Sequence, residues 1–159
     1  MQFVKGDLLK CKESFLVHGC NNKRKMGAGL AKQIRSSFPK TYEYYVKYLN
    51  TFSDSRNALG TQITTFESRN NYWFAIGNLI TQDGYGFDKK RYANTEWIKS
   101  ALIDFIEANR KFAVLEKQHL TIASPKIGCN LGGLNWTEVE PIYKEIESKY
   151  DVQFTIYEL

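Results

Sequence analysis

Two glycine-rich segments set the strongest limit on how this chain can fold. The first is His18-Gly19-Cys20-Asn21-Asn22-Lys23-Arg24-Lys25-Met26-Gly27-Ala28-Gly29-Leu30-Ala31, which closes a short apolar strand and opens an amphipathic helix. The second is Ser124-Pro125-Lys126-Ile127-Gly128-Cys129-Asn130-Leu131-Gly132-Gly133-Leu134-Asn135-Trp136, again between a strand and a helix. A helix that begins on small residues presents backbone N–H groups with no intrahelical partner, and these suit a phosphate. Gly27 and Gly29 permit close backbone approach and positive φ. Two such loops are suited to grip the two phosphates of one ligand.

Between and around these loops the pattern alternates. Short runs rich in aromatic and β-branched residues predict strands over 2–5, 15–18, 61–66, 72–80, 120–123 and 152–157, with a turn at 68–71. Apolar residues at helical spacing predict helices over 29–38, 41–49, 94–112 and 136–150. Pro39 ends the first helix, and Pro141 falls near the start of the last, where proline is tolerated. The stripe Trp97, Ile98, Ala101, Leu102, Phe105 and Ile106 marks the buried side of the third helix. Trp73, Phe74, Trp97 and Trp136 are expected in the core. Residues 50–59 and 81–91 read as loops. Strands alternating with helices imply an α/β layer architecture, in which ligands bind beyond the carboxyl ends of strands. Both glycine loops, and the loop after Ile80, follow strands and can meet at one edge.

At 159 residues the chain is expected to form one domain over 1–159. No apolar run is long enough to span a bilayer, and no secretory leader follows Met1, so the expectation is a cytoplasmic protein with no membrane partner. Cys11, Cys20 and Cys129 lack metal-site spacing, and with only His18 and His119 beside them they read as reduced thiols rather than zinc ligands. The net charge of +5 favours an anionic ligand at long range. The densest basic cluster, Lys23-Arg24-Lys25, is short and reads as a solvated loop. Nothing indicates an oligomer, and a monomer is expected.

Five segments, in order along nearly the whole chain, resemble the macrodomain family of ADP-ribose-binding proteins. They are Val4-Lys5-Gly6-Asp7-Leu8-Leu9, His18-Gly19-Cys20-Asn21-Asn22, Met26-Gly27-Ala28-Gly29-Leu30-Ala31, Pro125 to Trp136, and Thr155-Ile156-Tyr157-Glu158-Leu159. Within the family the chain is most similar to a compact branch. It includes the yeast-type ADP-ribose 1″-phosphate phosphatase, the terminal ADP-ribose protein glycohydrolase, the DNA-directed hydrolases of toxin–antitoxin pairs and small phage-encoded members. The resemblance implies an α/β fold in three α/β/α layers around a mixed, roughly six-stranded sheet.

It also implies roles for individual residues. Gly6, Asp7 and Leu8 would lie at the adenine, with Asp7 accepting from its amino group; alone, Asp7 reads equally as a turn-capping residue. Met26, Gly27, Ala28 and Gly29 would approach the distal ribose and its phosphate, while Leu30 and Ala31 pack. Pro125, Lys126, Ile127, Gly128, Cys129, Asn130, Leu131 and Gly132 would wrap the diphosphate as a nest of amides. Asn21 or Asn22 would contact the distal ribose or a water, against the alternative of turn-forming asparagines. His18 matches a histidine of the phosphatase branch and reads either as a general acid or base or as a core histidine hydrogen-bonded at a strand end. Lys89, in Phe87-Asp88-Lys89-Lys90-Arg91-Tyr92, resembles the lysine nucleophile of the glycohydrolase branch; the alternative is a solvated lysine. That branch carries an aspartate in its second loop where this chain has Gly132. Tyr85 and Phe87 are placed to cover the sugar or stack on a base.

The catalytic candidates are therefore His18, Asn21, Asn22 and Lys89. The function implied is hydrolysis of ADP-ribose conjugates at the distal ribose C1″, the substrate being an ADP-ribosylated metabolite, protein or nucleic acid. No metal or other cofactor is suggested. The alternative is a module that binds ADP-ribose without turnover.

Overall fold

The computed structural model describes residues 1–88, 90–115 and 120–159. Six strands form one mixed sheet: β1 (Gln2–Lys5), β2 (Phe15–Asn21), β3 (Gln62–Arg69), β4 (Tyr72–Gln82), β5 (Leu120–Ser124) and β6 (Val152–Glu158). Their spatial order is β1-β6-β5-β2-β4-β3. Every neighbouring pair is parallel except the β3–β4 hairpin. Parallel neighbours need crossovers, and helices supply them. α1 (Gly29–Ser37) and α2 (Pro39–Leu49) follow β2, α3 (Thr95–Leu115) joins β4 to β5, and α4 (Trp136–Tyr150) joins β5 to β6.

Side-chain alternation along the central strands sorts the core onto two faces. Val17 and Leu79 pack with Ile98, Phe105, Val139 and Ile146 under α3 and α4. Leu16, Phe74 and Ile76 face the other way, and Cys20 and Ile80 on that face pack with Ile34, Tyr45 and Leu49 of α1 and α2. The expected three-layer α/β architecture is therefore present.

The structure refines several expectations. β3 runs on to Arg69, so the hairpin turns on two residues only, Asn70 and Asn71, at φ 47° and 68°. Two successive left-handed residues suit the right-handed twist of a hairpin, and asparagine tolerates that conformation. Phe38 caps both the end of α1 and the start of α2, with Pro39 as the first residue of the second helix. A single 3-10 turn at Ser55–Ala58 interrupts the expected 50–59 loop. Pro141 lies inside α4 rather than in its first turn. Trp73 is 40% exposed, which corrects its expected burial. It sits at the hairpin end of β4, where the rings of Phe15, Phe66 and Phe112 meet it in edge-to-face pairs. Trp97 and Trp136 are half-buried.

One close approach governs how α3 sits on the sheet. A Cβ at Gly77 of β4 would lie 2.6 Å from the Phe105 ring and 2.9 Å from Val17. Phe105 is fully buried and cannot move away without opening the core. Gly77→Ala is expected to destabilise the fold by ~1–3 kcal/mol through overpacking, measured as a lower urea midpoint with an unchanged slope.

Candidate active site

The loops that leave the carboxyl ends of β2, β4 and β5 enclose a cleft of about 340 Å3. Its walls are Gly27 to Ala31 on one side and Pro125 to Ile127, Gly128 and Asn130 to Gly132 on the other, with Gln82, Tyr85 and Phe87 at one end. Among the described residues no carboxylate lines it, whereas Lys25 and Lys126 do. Charge and backbone polarity both favour an anionic occupant.

The first wall is built around Asn21 and the start of α1. The Asn21 carboxamide folds its own loop: Oδ1 accepts from Lys23 N–H (2.9 Å) and from the Tyr45 hydroxyl (3.0 Å), and Nδ2 donates to the Lys25 carbonyl (2.8 Å). Tyr45, fully buried on α2, anchors this turn to the core. Ala28 caps α1 without any side-chain hydrogen bond, and no acidic residue stands in the first turn. The amides of Gly29, Leu30 and Ala31 therefore lack intrahelical acceptors and open onto the cleft. Gly29, at φ +57°, takes the left-handed conformation that this tight entry requires.

The second wall is held from behind. The Ser124 and Tyr143 hydroxyls meet at 2.7 Å where the loop leaves β5. Within the loop, Leu134 N–H donates to Gly128 O (2.8 Å) and Gly133 N–H to Asn130 O (3.2 Å). Among the described residues, no hydrogen bond engages the amides of Gly128, Asn130, Leu131 or Gly132. Gly128, at φ +77°, is enclosed by Ile98, Ala93 and Leu134. Residues 90–93 strap the loop in place: Ala93 N–H donates to Gly132 O (3.0 Å), and Arg91 pairs with Glu138 of α4. The Arg91 guanidinium holds the Glu138 carboxyl below its usual range. Glu138 in turn accepts from Asn135 N–H (3.0 Å) at the helix start.

His18 lies within the sheet at the floor of the cleft. It is 1% exposed, and its Nε2 lies 2.7 Å from Asn78 Oδ1. The Asn78 amide donates to Ile63 O (3.0 Å) and Thr65 Oγ1 (3.1 Å), so its oxygen faces the imidazole and Nε2 carries the proton. The chain of bonds continues from Thr65 through Thr41 to Glu67. Burial pushes the His18 pKa down to about 4. The ring is neutral and built into a polar network between the sheet and α2. It borders the cleft from within the sheet.

Asn22 is likewise internal. Fully buried, it donates to Asp83 Oδ1 (3.1 Å) and Ser55 O (3.3 Å) and accepts from Gly84 N–H (3.0 Å). It ties the first loop to the loop after β4 and does not line the cleft. Asp7 caps a 3-10 turn at Leu8–Lys10, accepting from Leu9 N–H at 2.9 Å. Gly6, Asp7 and Leu8 stand at the β1–β6 edge, beyond the cleft proper, as Gly6 N–H pairs with Glu158 O (2.7 Å). Met26 and Cys129 are turned into the packing. Burial raises the Cys129 thiol to about 11, which removes it as a nucleophile near neutral pH. Lys89 lies outside the described residues. Leu30 and Ala31, expected only to pack, also line the cleft, and Lys25 and Gln82 join it unanticipated. Gln82 was reachable from the rule that strand ends supply ligands; Lys25 was hidden in a short basic run.

The family model for the Macro domain matches residues 17–143, and the chain belongs to that family. The ADP-ribose 1″-phosphate phosphatase of Scheffersomyces stipitis is 26% identical over 174 residues, covering 99% of this chain and 98% of the relative. The DNA ADP-ribosyl glycohydrolase of Thermus aquaticus is 28% identical over 167 residues, covering 99% of this chain; the chain spans 41% of that relative's length. Among solved structures, the macrodomain of Mycobacterium tuberculosis DarG superposes with a TM-score of 0.79 at 24% identity, covering 99% of this chain and 97% of the other.

The His18 environment generates a pH dependence of stability. Above pH 6.5 the imidazole is neutral in both folded and unfolded chains. As pH falls from 6.5 towards about 4, the unfolded chain gains a proton there that the folded chain does not, so stability is lost; below about 4 both states are protonated and the loss stops. The full effect is ~3 kcal/mol. His18→Gln is expected to flatten that part of the profile, read from urea unfolding at a series of pH values; an equal slope in the variant would remove His18 as its source.

Proposed function

We propose that this macrodomain binds ADP-ribose and hydrolyses ADP-ribose conjugates at the distal ribose C1″. One observation carries the binding reading: two walls of unengaged backbone amides face each other across a cleft that no carboxylate lines among the described residues. Opposed amide walls suit the two phosphates of a diphosphate. The hydrolytic reading draws on the relatives, two of which are named for cleaving ADP-ribose derivatives. In the reaction a water oxygen bonds to C1″, the bond from C1″ to the leaving atom breaks, and the leaving group departs with a proton. The amide walls fix the diphosphate and set the distal ribose against the β2–β4 strand ends.

A second reading, an ADP-ribose-binding module without turnover, rests on specific features. His18 is neutral and engaged with Asn78, Asn22 is engaged internally, and Gly132 occupies the place where the glycohydrolase branch has an aspartate. Titration calorimetry with ADP-ribose, with AMP as control, followed by turnover of ADP-ribose 1″-phosphate and of ADP-ribosylated DNA or protein, separates the readings. Binding with no turnover of any of these leaves the module.

The cleft itself is tested at Gly27. A Cβ there meets nothing within 4 Å, and its φ is not left-handed. Gly27→Glu therefore adds a carboxylate beside the amide wall without straining the backbone, unlike a substitution at the enclosed Gly128. ADP-ribose affinity is expected to fall at least tenfold, about 1.4 kcal/mol, with thermal stability unchanged. Undiminished affinity would place the ligand elsewhere.

A further inference from the structure

Charge is divided unevenly between the two faces of the sheet. Residues 23–49, the turn after β2 together with α1 and α2, carry Lys23, Arg24, Lys25, Lys32, Arg35, Lys40 and Lys47 against a single acid, Glu43. The rest of the chain is slightly negative, so this layer alone accounts for the net charge of +5. All of these cations are exposed, and among the described residues none of them makes a salt bridge. On the opposite layer Lys99, Lys144 and Lys149 are each neutralised by Glu140 or Glu145. Like charges gathered without counter-charges repel one another, and a bound polyanion relieves that repulsion.

Packing brings the cations into one surface. The Tyr42 hydroxyl donates to Arg24 O (3.0 Å), and the Arg35 guanidinium lies 4.3 Å over the Tyr42 ring. These contacts join the Lys23–Lys25 turn to both helices. Lys32 and Arg35 are neighbours on the surface of α1, and Lys40, Tyr44 and Lys47 share one face of α2. Tyr44 is 53% exposed, with Lys47 Nζ 5.8 Å from its ring centre. Exposed rings among unpaired cations suit a single-stranded nucleic acid, whose phosphates meet the cations while its bases stack on the rings. A lipid surface fits less well. A helix lying on a membrane turns an apolar face to it, whereas Ile34, Tyr45 and Leu49, on the apolar faces of α1 and α2, are buried in the core.

We propose that the α1–α2 face binds the backbone of a single-stranded nucleic acid, with Tyr44 stacking on a base. Of its cations only Lys25 lines the cleft. The surface is therefore a second site, and it does not rest on the ADP-ribose reading.

Fluorescence anisotropy of a labelled single-stranded oligonucleotide of mixed sequence, titrated with the full chain over a range of salt, tests this. Binding is expected, weakening as salt rises. Lys40→Gln with Lys47→Gln is expected to lose about tenfold and to lower the log–log salt slope by ~1.4, two phosphate contacts at ~0.7 each. Tyr44→Ala is expected to lose about tenfold with the slope unchanged. Lys144→Gln with Lys149→Gln removes the same charge from α4 and is expected to bind as wild type does. Thermal midpoints establish that each variant folds, and calorimetry with ADP-ribose reads the cleft separately. An equal loss in the two lysine pairs reduces the effect to net charge and overturns the proposal. Absence of oligonucleotide binding at low salt overturns it too, whether or not vesicles of phosphatidylserine are bound instead.

Discussion

The parallel pairing of β2 on both sides is the constraint from which the rest follows. β2 pairs with β4 over its full length and with β5 near its start, and its side chains are buried on both faces. A strand so enclosed cannot slip by one residue without exchanging Leu16 and Val17 between unlike cores. Parallel strands also end pointing the same way, so the chain must leave β2, β4 and β5 at one edge of the sheet. Three loops are delivered there together. One runs into α1, whose first amides have no intrahelical partner, and another carries the unengaged amides of Gly128 and Asn130 to Gly132, so the fold concentrates unsatisfied donors at one place. The cleft is thus a consequence of topology before any side chain is considered.

That dependence explains what could be read in advance. Strand and helix positions follow local periodicity, so the six strands, the four helices and the meeting of the glycine loops were legible. The Macro domain motifs added which loop faces which. What escaped reading depends on partners far along the chain. His18 meets Asn78 sixty residues on, and Asn22 is fixed by Asp83 and Gly84. No local pattern separates a histidine that titrates in a cleft from one bonded to an asparagine in the next strand. Asn21 and Asn22 look interchangeable in sequence, yet one lines the cleft and the other is buried beneath it. The bulge in the β2–β4 ladder that sets Gln82 beside Asn21 is equally silent, because a register shift has no residue signature.

The chemistry of the cleft follows from the same division of labour. The histidine is neutral and internal, the cysteine of the second loop keeps its proton, and among the described residues no carboxylate lines the cleft. What lines the cleft is rich in donors: backbone amides, two lysines and the carboxamides of Asn21, Gln82 and Asn130. A site of this composition binds anions in any state. On the proposed hydrolytic reading it accelerates cleavage only where negative charge grows, by holding the leaving group's developing charge more strongly than the intact conjugate. Such a site favours departing groups that become anionic and does little for those that need a proton from the protein. On that proposed reading, the composition of the cleft ranks substrates by the acidity of the leaving group, with a phosphate ahead of an amide nitrogen.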